Sequence, residues 1–63
     1  MQSLNLLLKV EEVAAQLGLG RSMVWRLLRD GELRAVHVGR AVRIPADSVR
    51  AYVQRLQDEW GDA

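Results

Sequence analysis

Three stretches of this 63-residue chain repeat one apolar spacing, i, i+3, i+4, i+7. They are Val10, Val13, Ala14, Leu17; then Val24, Leu27, Leu28, Gly31; then Val49, Tyr52, Val53, Leu56. Residues so spaced share one face of a 3.6-residue helix, so the chain predicts three amphipathic helices. The first covers Val10–Leu17. Glu11 and Glu12 favour the dipole at its start and Gly18 ends it. Lys9 is a poor N-cap, so that start is weakly specified. The second covers Arg21–Asp30, entered from Gly20 and stopped by Gly31. The third runs from Pro45 to about Glu59, with Pro suited to a first helical position and Asp47 in the opening turn. Gly61–Ala63 are expected to fray.

Between the second and third helices the period changes. Leu33–Val38 and Ala41–Ile44 alternate β-branched residues with others around Gly39-Arg40, which predicts a β-hairpin. Leu6-Leu7-Leu8 is short and apolar and is expected to add an extended segment over the core. The order helix, tight turn, helix, hairpin, helix is that of a winged helix-turn-helix, mostly α with one small hairpin. Its expected core is Val13, Leu17, Val24, Leu27, Leu28, Leu33, Val36, Val42, Ile44, Val49, Tyr52, Val53 and Leu56.

Length and composition narrow the function classes. Residues 1–63 are read as one winged helix-turn-helix domain with a core at 6–57, and a domain of this size is expected to be only modestly stable. Cysteine is absent, and the single His37 cannot build a metal centre. Neither a metal nor a cofactor is expected. No Ser/His/Asp set, carboxylate pair or phosphate-cradling glycine loop is present, so the chain is not expected to be an enzyme. The longest apolar run, Leu6-Leu7-Leu8, is far too short to span a membrane. The first eight residues lack the basic start and cleavage site of a signal peptide. A cytoplasmic location is expected.

The net charge of +1 conceals a strong asymmetry. Residues 1–17 carry Lys9 against Glu11 and Glu12. Residues 18–43 carry six arginines against Asp30 and Glu32. Residues 44–63 carry Arg50 and Arg55 against four acids. The positive charge therefore sits in the middle third and is wholly arginine, which suits bidentate contact with phosphate and guanine edges. It coincides with the second helix. Val24, Leu27, Leu28 and Met23 fall on one side of that helix, and Arg21, Ser22, Trp25, Arg26 and Arg29 on the other. The partner such a face fits best is double-stranded DNA.

The run from Leu7 to Leu33 resembles the front of the excisionase-type, MerR-like helix-turn-helix domains. Arg34 to Tyr52 resembles their wing and closing helix. The Arg-Asp-Gly-Glu-Leu junction and the Gly-Arg…Arg-Ile-Pro stretch carry much of the likeness, which spans residues 6–57. The resemblance implies that the second helix enters the major groove and the wing a neighbouring minor groove. Arg21, Ser22, Met23, Trp25 and Arg26 would then face the major groove. Gly39 and Arg40 would form the wing tip, with Arg43 near phosphate. Two positions depart from the family pattern: Lys9 stands where a hydroxyl residue usually precedes the first helix, and Gly20 replaces the usual Ser opening the recognition helix.

Alternatives stay open for several of these side chains. Met23 either touches a thymine methyl or packs beneath the helix. Trp25 either stacks on sugar-phosphate or shields core with one edge exposed. Arg29 either caps the helix end or meets phosphate. Arg40 is the minor-groove candidate, and His37 is either structural or a DNA contact. Trp60 extends the stripe of the third helix, as terminal packing or as an exposed anchor. The expected function is that of an excisionase: a sequence-specific factor that binds and bends an attachment-site arm, beside further copies of itself, and assists a tyrosine or serine integrase. The 63 residues hold neither the long dimerisation helix nor the effector domain of MerR-type regulators. A small MerR-like transcriptional regulator, or a protein-interaction module using Leu6–Leu8 or Trp60, are the alternatives.

Overall fold

A computed structural model of the chain describes residues 6–61. The elements follow in the order β1 (Leu7–Leu8), α1 (Val10–Leu17), α2 (Arg21–Arg29), β2 (Val36–Val38), β3 (Ala41–Pro45) and α3 (Ala46–Trp60). All three helices and the hairpin lie where the periodicity predicts them. The sheet order is β1-β3-β2, antiparallel throughout, with Leu8 opposite Ile44 and Val38 opposite Ala41. This is the winged helix-turn-helix arrangement.

Local chemistry accounts for the helix ends. Lysine has no acceptor to offer as N-cap of α1, so only the reciprocal half of a capping box forms: the Lys9 N–H donates to Glu12 Oε1 at 2.7 Å. That bond specifies a start which Lys9 alone leaves open. At the other end Gly18 takes the left-handed conformation, φ 70°. The Leu19 N–H then reaches the Ala14 carbonyl at 2.9 Å and the Gly18 N–H the Ala15 carbonyl at 3.3 Å, a Schellman closure. Gly20 follows in extended conformation as N-cap of α2, so three residues turn the chain between the two helices. At the end of α2 the Glu32 N–H closes onto Leu27 and the Gly31 N–H onto Leu28 in the same way.

The wing turns at Gly39-Arg40. Gly39 has φ 62° and no non-glycine residue among those described has positive φ, the sign pattern of a type II′ turn whose twist matches the strands. Space is open around Gly39, so a Cβ there meets no atom within 4 Å and pays only in torsion. Gly39→Ala should therefore cost about 1–2 kcal/mol. In a chain this short, thermal unfolding should register that as a fall of roughly 4–8 °C per kcal/mol.

The core comprises Leu8, Val10, Val13, Ala14, Val24, Leu27, Leu33, Ile44 and Val49, with Leu17, Leu28, Ala46 and Tyr52 packed against it. Several expectations need correcting. Val36 and Leu56 are exposed, and Val42 and Val53 only half-buried. β2 is an edge strand whose main packing partner is β3, with no helix across its face, so both of its sides stay wet. Leu8, Val10 and Ala14 take the vacated share of the core, because β1 adds to the opposite edge of β3 and brings Leu8 over it. The strand expected from Leu33 begins only at Val36, and Pro45 closes β3 and serves as N-cap of α3 instead of opening the helix. Proline has no N–H to donate, and the Ala46 N–H bonds the carbonyl of Leu6, the residue just before β1, at 2.8 Å, which satisfies the first orphan donor of α3. The fraying expected at the C-terminus falls, beyond Gly61, outside the described residues.

Candidate nucleic-acid interface

The surface of α2 sorts by chemistry. Val24 and Leu27 are buried and Leu28 is partly buried, while Arg21, Ser22, Met23, Trp25, Arg26 and Arg29 are all exposed. Helical projection placed Met23 on the inner side. It sits on the outer margin of the apolar stripe and is 41% exposed. Trp25 is 45% exposed and Trp60 is 70% exposed, so neither indole is core and terminal packing is excluded for Trp60.

On the wing, His37, Gly39 and Arg40 are exposed. Arg43 is half-buried, and its Nη1 donates to the Val42 carbonyl at 2.9 Å, which folds the guanidinium back along β3. The two elements are tied to the same core: Val24 and Leu27 of α2 share one cluster with Ile44 of β3 and with Leu33 in the connector between them. A helix and a hairpin with separate cores could drift relative to one another. These two cannot, because close packing transmits any shift.

The ion pairs decide which cations remain available. On α3, Arg50 pairs with Asp47 at 2.7 Å, and Arg55 reaches back to the Glu32 carboxylate at 3.1 Å and its carbonyl at 2.7 Å. Arg55 also sits over the Tyr52 ring, 5.9 Å from its centroid. Arg21 lies 3.8 Å from Glu11, and Arg26 lies 3.9 Å from Asp30. Among the described residues, Arg29, Arg34, Arg40 and Arg43 have no carboxylate within 4.0 Å. All four belong to the middle third of the chain. Arg34 carried no role in the sequence reading beyond its charge. It is exposed in the connector to the wing, and its N–H donates to Ser48 Oγ at 2.8 Å, which pins the connector to the first turn of α3. Its place just before the hairpin, inside the basic third, was the available signal.

No side chain among the described residues is both polar and buried, so every charge faces solvent. The described residues include no cluster of three or more His, Cys, Asp or Glu fit to hold a metal ion, and no helix is long and apolar enough to cross a membrane. What the arrangement offers is an exposed basic helix face and a basic hairpin tip on one rigid base. That chemistry matches a polyanion with grooves.

Residues 7–57 match the family model described as "Helix-turn-helix domain". The chain is 47% identical over 52 residues to a protein of Saccharopolyspora erythraea named "Probable excisionase", covering 82% of this chain and 53% of that protein. It is 42% identical over 57 residues to an excisionase of Streptomyces ambofaciens, covering 90% of this chain and 87% of that one. A protein of Mycobacterium tuberculosis named only for DNA binding is 46% identical over 62 residues, covering 98% of this chain and 76% of its own. The chain thus spans about half the length of the Saccharopolyspora relative and most of the other two.

Proposed function

From the premise that this chain belongs to the helix-turn-helix domain family, as an excisionase-type DNA-binding protein, we propose that it sets the direction of integrase-mediated site-specific recombination. In this reading α2 enters the major groove of the attachment-site arm and the β2–β3 wing reaches the adjoining minor groove. Arg21, Ser22, Met23, Trp25, Arg26 and Arg29 form the major-groove surface. His37, Gly39, Arg40 and Arg43 form the wing surface, and Arg34 joins the phosphate contacts between them. The observation that carries the reading is the exposure of every polar side chain of α2 while Val24 and Leu27 anchor it in the core shared with β3.

A single module of this kind covers only about 600–1,000 Å² of protein surface. Useful affinity then comes from several copies side by side on the arm, or from contact with the integrase, a tyrosine or serine recombinase. Occupying neighbouring grooves rewards a curved duplex, at a deformation cost of order 1–6 kcal/mol. The protein works in the bacterial cytoplasm, on the nucleoid. The same exposed surface would also serve a second reading, transcriptional repression from one operator.

Two measurements test the proposal. Binding through about five phosphates gives a log–log salt slope near −4.5, and a flat salt dependence would leave only a protein adaptor. Excision by the cognate integrase should fall when this protein is withheld, and unchanged excision would favour the repressor. The two tryptophans report the docking face directly. With Trp60→Phe, the remaining Trp25 should change its emission when duplex is added. With Trp25→Phe, the remaining Trp60 should not.

A further inference from the structure

The two arginines of α2 that hold carboxylates lie at its first residue and in its last turn, whereas Arg29, Arg34, Arg40 and Arg43 hold none among the described residues. Glu11 comes from the first turn of α1 and Asp30 is the C-cap of α2, so the helix is bracketed by acids at both ends. The pairs are loose. At 3.8 and 3.9 Å they are ionic contacts well beyond the 2.7–2.9 Å of a charge-assisted hydrogen bond. Both carboxylates are wet, with Glu11 60% and Asp30 53% exposed at the side chain.

Helix stability does not explain Asp30. A negative charge at a helix C-terminus opposes the macrodipole, and this one follows a last turn that already carries the favourable Arg26 and Arg29. Glu11 has a local use in the first turn of α1, yet its carboxylate reaches across to the neighbouring helix.

We propose that Glu11 and Asp30 determine specificity by restraining Arg21 and Arg26 against undirected phosphate contact. The inference rests on the docking reading above. On an arbitrary duplex, an arginine that leaves its carboxylate for one phosphate also exposes that carboxylate to the polyanion, and the exchange brings little. At a matching site a guanine edge offers two acceptors in one plane, and the loose pair yields. The four arginines without acids supply the sequence-independent attraction throughout. The restraint is soft, since exposed ion pairs bias an equilibrium by no more than about fivefold.

The test uses Glu11→Gln, Asp30→Asn and their combination, with a 20-base-pair duplex of scrambled sequence and the footprinted duplex as probes. Each single variant should bind the scrambled duplex about two- to fivefold more tightly at low salt, and the double variant about tenfold. The salt slope should steepen by about 0.9 for each arginine released. Affinity for the footprinted duplex, the attachment-site segment that the parent protein protects from DNase, should rise less, so the ratio between the two falls. Glu59→Gln makes the same charge change at the far end of α3, where no arginine among the described residues pairs with it, and should leave the slope unchanged. Adding Arg26→Ala to Asp30→Asn should abolish the gain. Variants that match Glu59→Gln in affinity and slope overturn the proposal. If the parent protein shows no salt-dependent duplex binding, the docking reading falls and takes this inference with it. A parent that binds, with no gain in either variant, sinks the restraint alone. Both positions are exposed and outside the core, so thermal midpoints should stay close to the parent's.

Discussion

Replacing Arg26 and Arg40 together by alanine should weaken duplex binding by about two orders of magnitude and leave the fold intact. A groove contact of this kind is worth about 1–3 kcal/mol. The two residues stand on separate elements, one on α2 and one on the β2–β3 turn, and losses at independent sites add. The expected split is informative. Arg26→Ala should relax discrimination at one base pair, because a base reader is lost. Arg40→Ala should weaken binding most where the minor groove is narrow, because narrow A·T tracts concentrate the negative potential that attracts arginine. Neither change should move the thermal midpoint much. Arg26 forfeits only an exposed pair with Asp30 at 3.9 Å, worth less than about 1 kcal/mol, and Arg40 is an exposed turn residue. Electrophoretic or fluorescence titration of both single variants and the double decides it. A double variant with parental affinity would end the two-groove docking.

Ile44→Ala should have the largest effect on stability. Ile44 is fully buried at 0% exposure, lies on the central strand and touches the shared core from the middle of the sheet. Truncating such a residue costs about 2–5 kcal/mol, in lost transfer energy and in the cavity left behind. A chain of this length has roughly 3–9 kcal/mol to lose. The variant should melt well below the parent, and at the upper end of that cost it should be largely unfolded at 37 °C. Ile44→Val removes one methylene and should cost about 0.5–1.5 kcal/mol. Circular dichroism against temperature measures both. Near-parental melting for Ile44→Ala would mean that the core clusters do not depend on β3. DNA binding should fall in step with the folded fraction, since α2 and the wing are aligned through the core that Ile44 anchors.

Much of this was readable along the chain. Gly18 and Gly31 announce where the first two helices stop, and a Schellman closure needs only the chemistry of the residues around it. The split of α2 into Val24 and Leu27 within, and Arg21, Ser22, Arg26 and Arg29 without, follows from helical period alone. The hairpin turn follows from one glycine between two alternating runs. The function class followed too, since six arginines in one third of the chain, spread over a two-faced helix, the connector and the wing, leave few partners other than DNA.

Other features had no local signature. Leu8 is core and Val36 is not, although both are apolar residues in short strands. The difference is which edge of β3 each strand joins and whether helices lie across it. Pro45 closes a strand instead of opening a helix because Leu6, just before β1 and forty residues earlier in the chain, supplies a carbonyl to the Ala46 N–H. The ion pairs of Arg21 with Glu11 and of Arg55 with Glu32 likewise join residues that only packing makes neighbours. Period, caps and turns act over a few residues, so they are written in the order of the amino acids. Edge against centre, covered against bare, and paired against unpaired cation depend on which distant segments meet, and only the folded chain decides that.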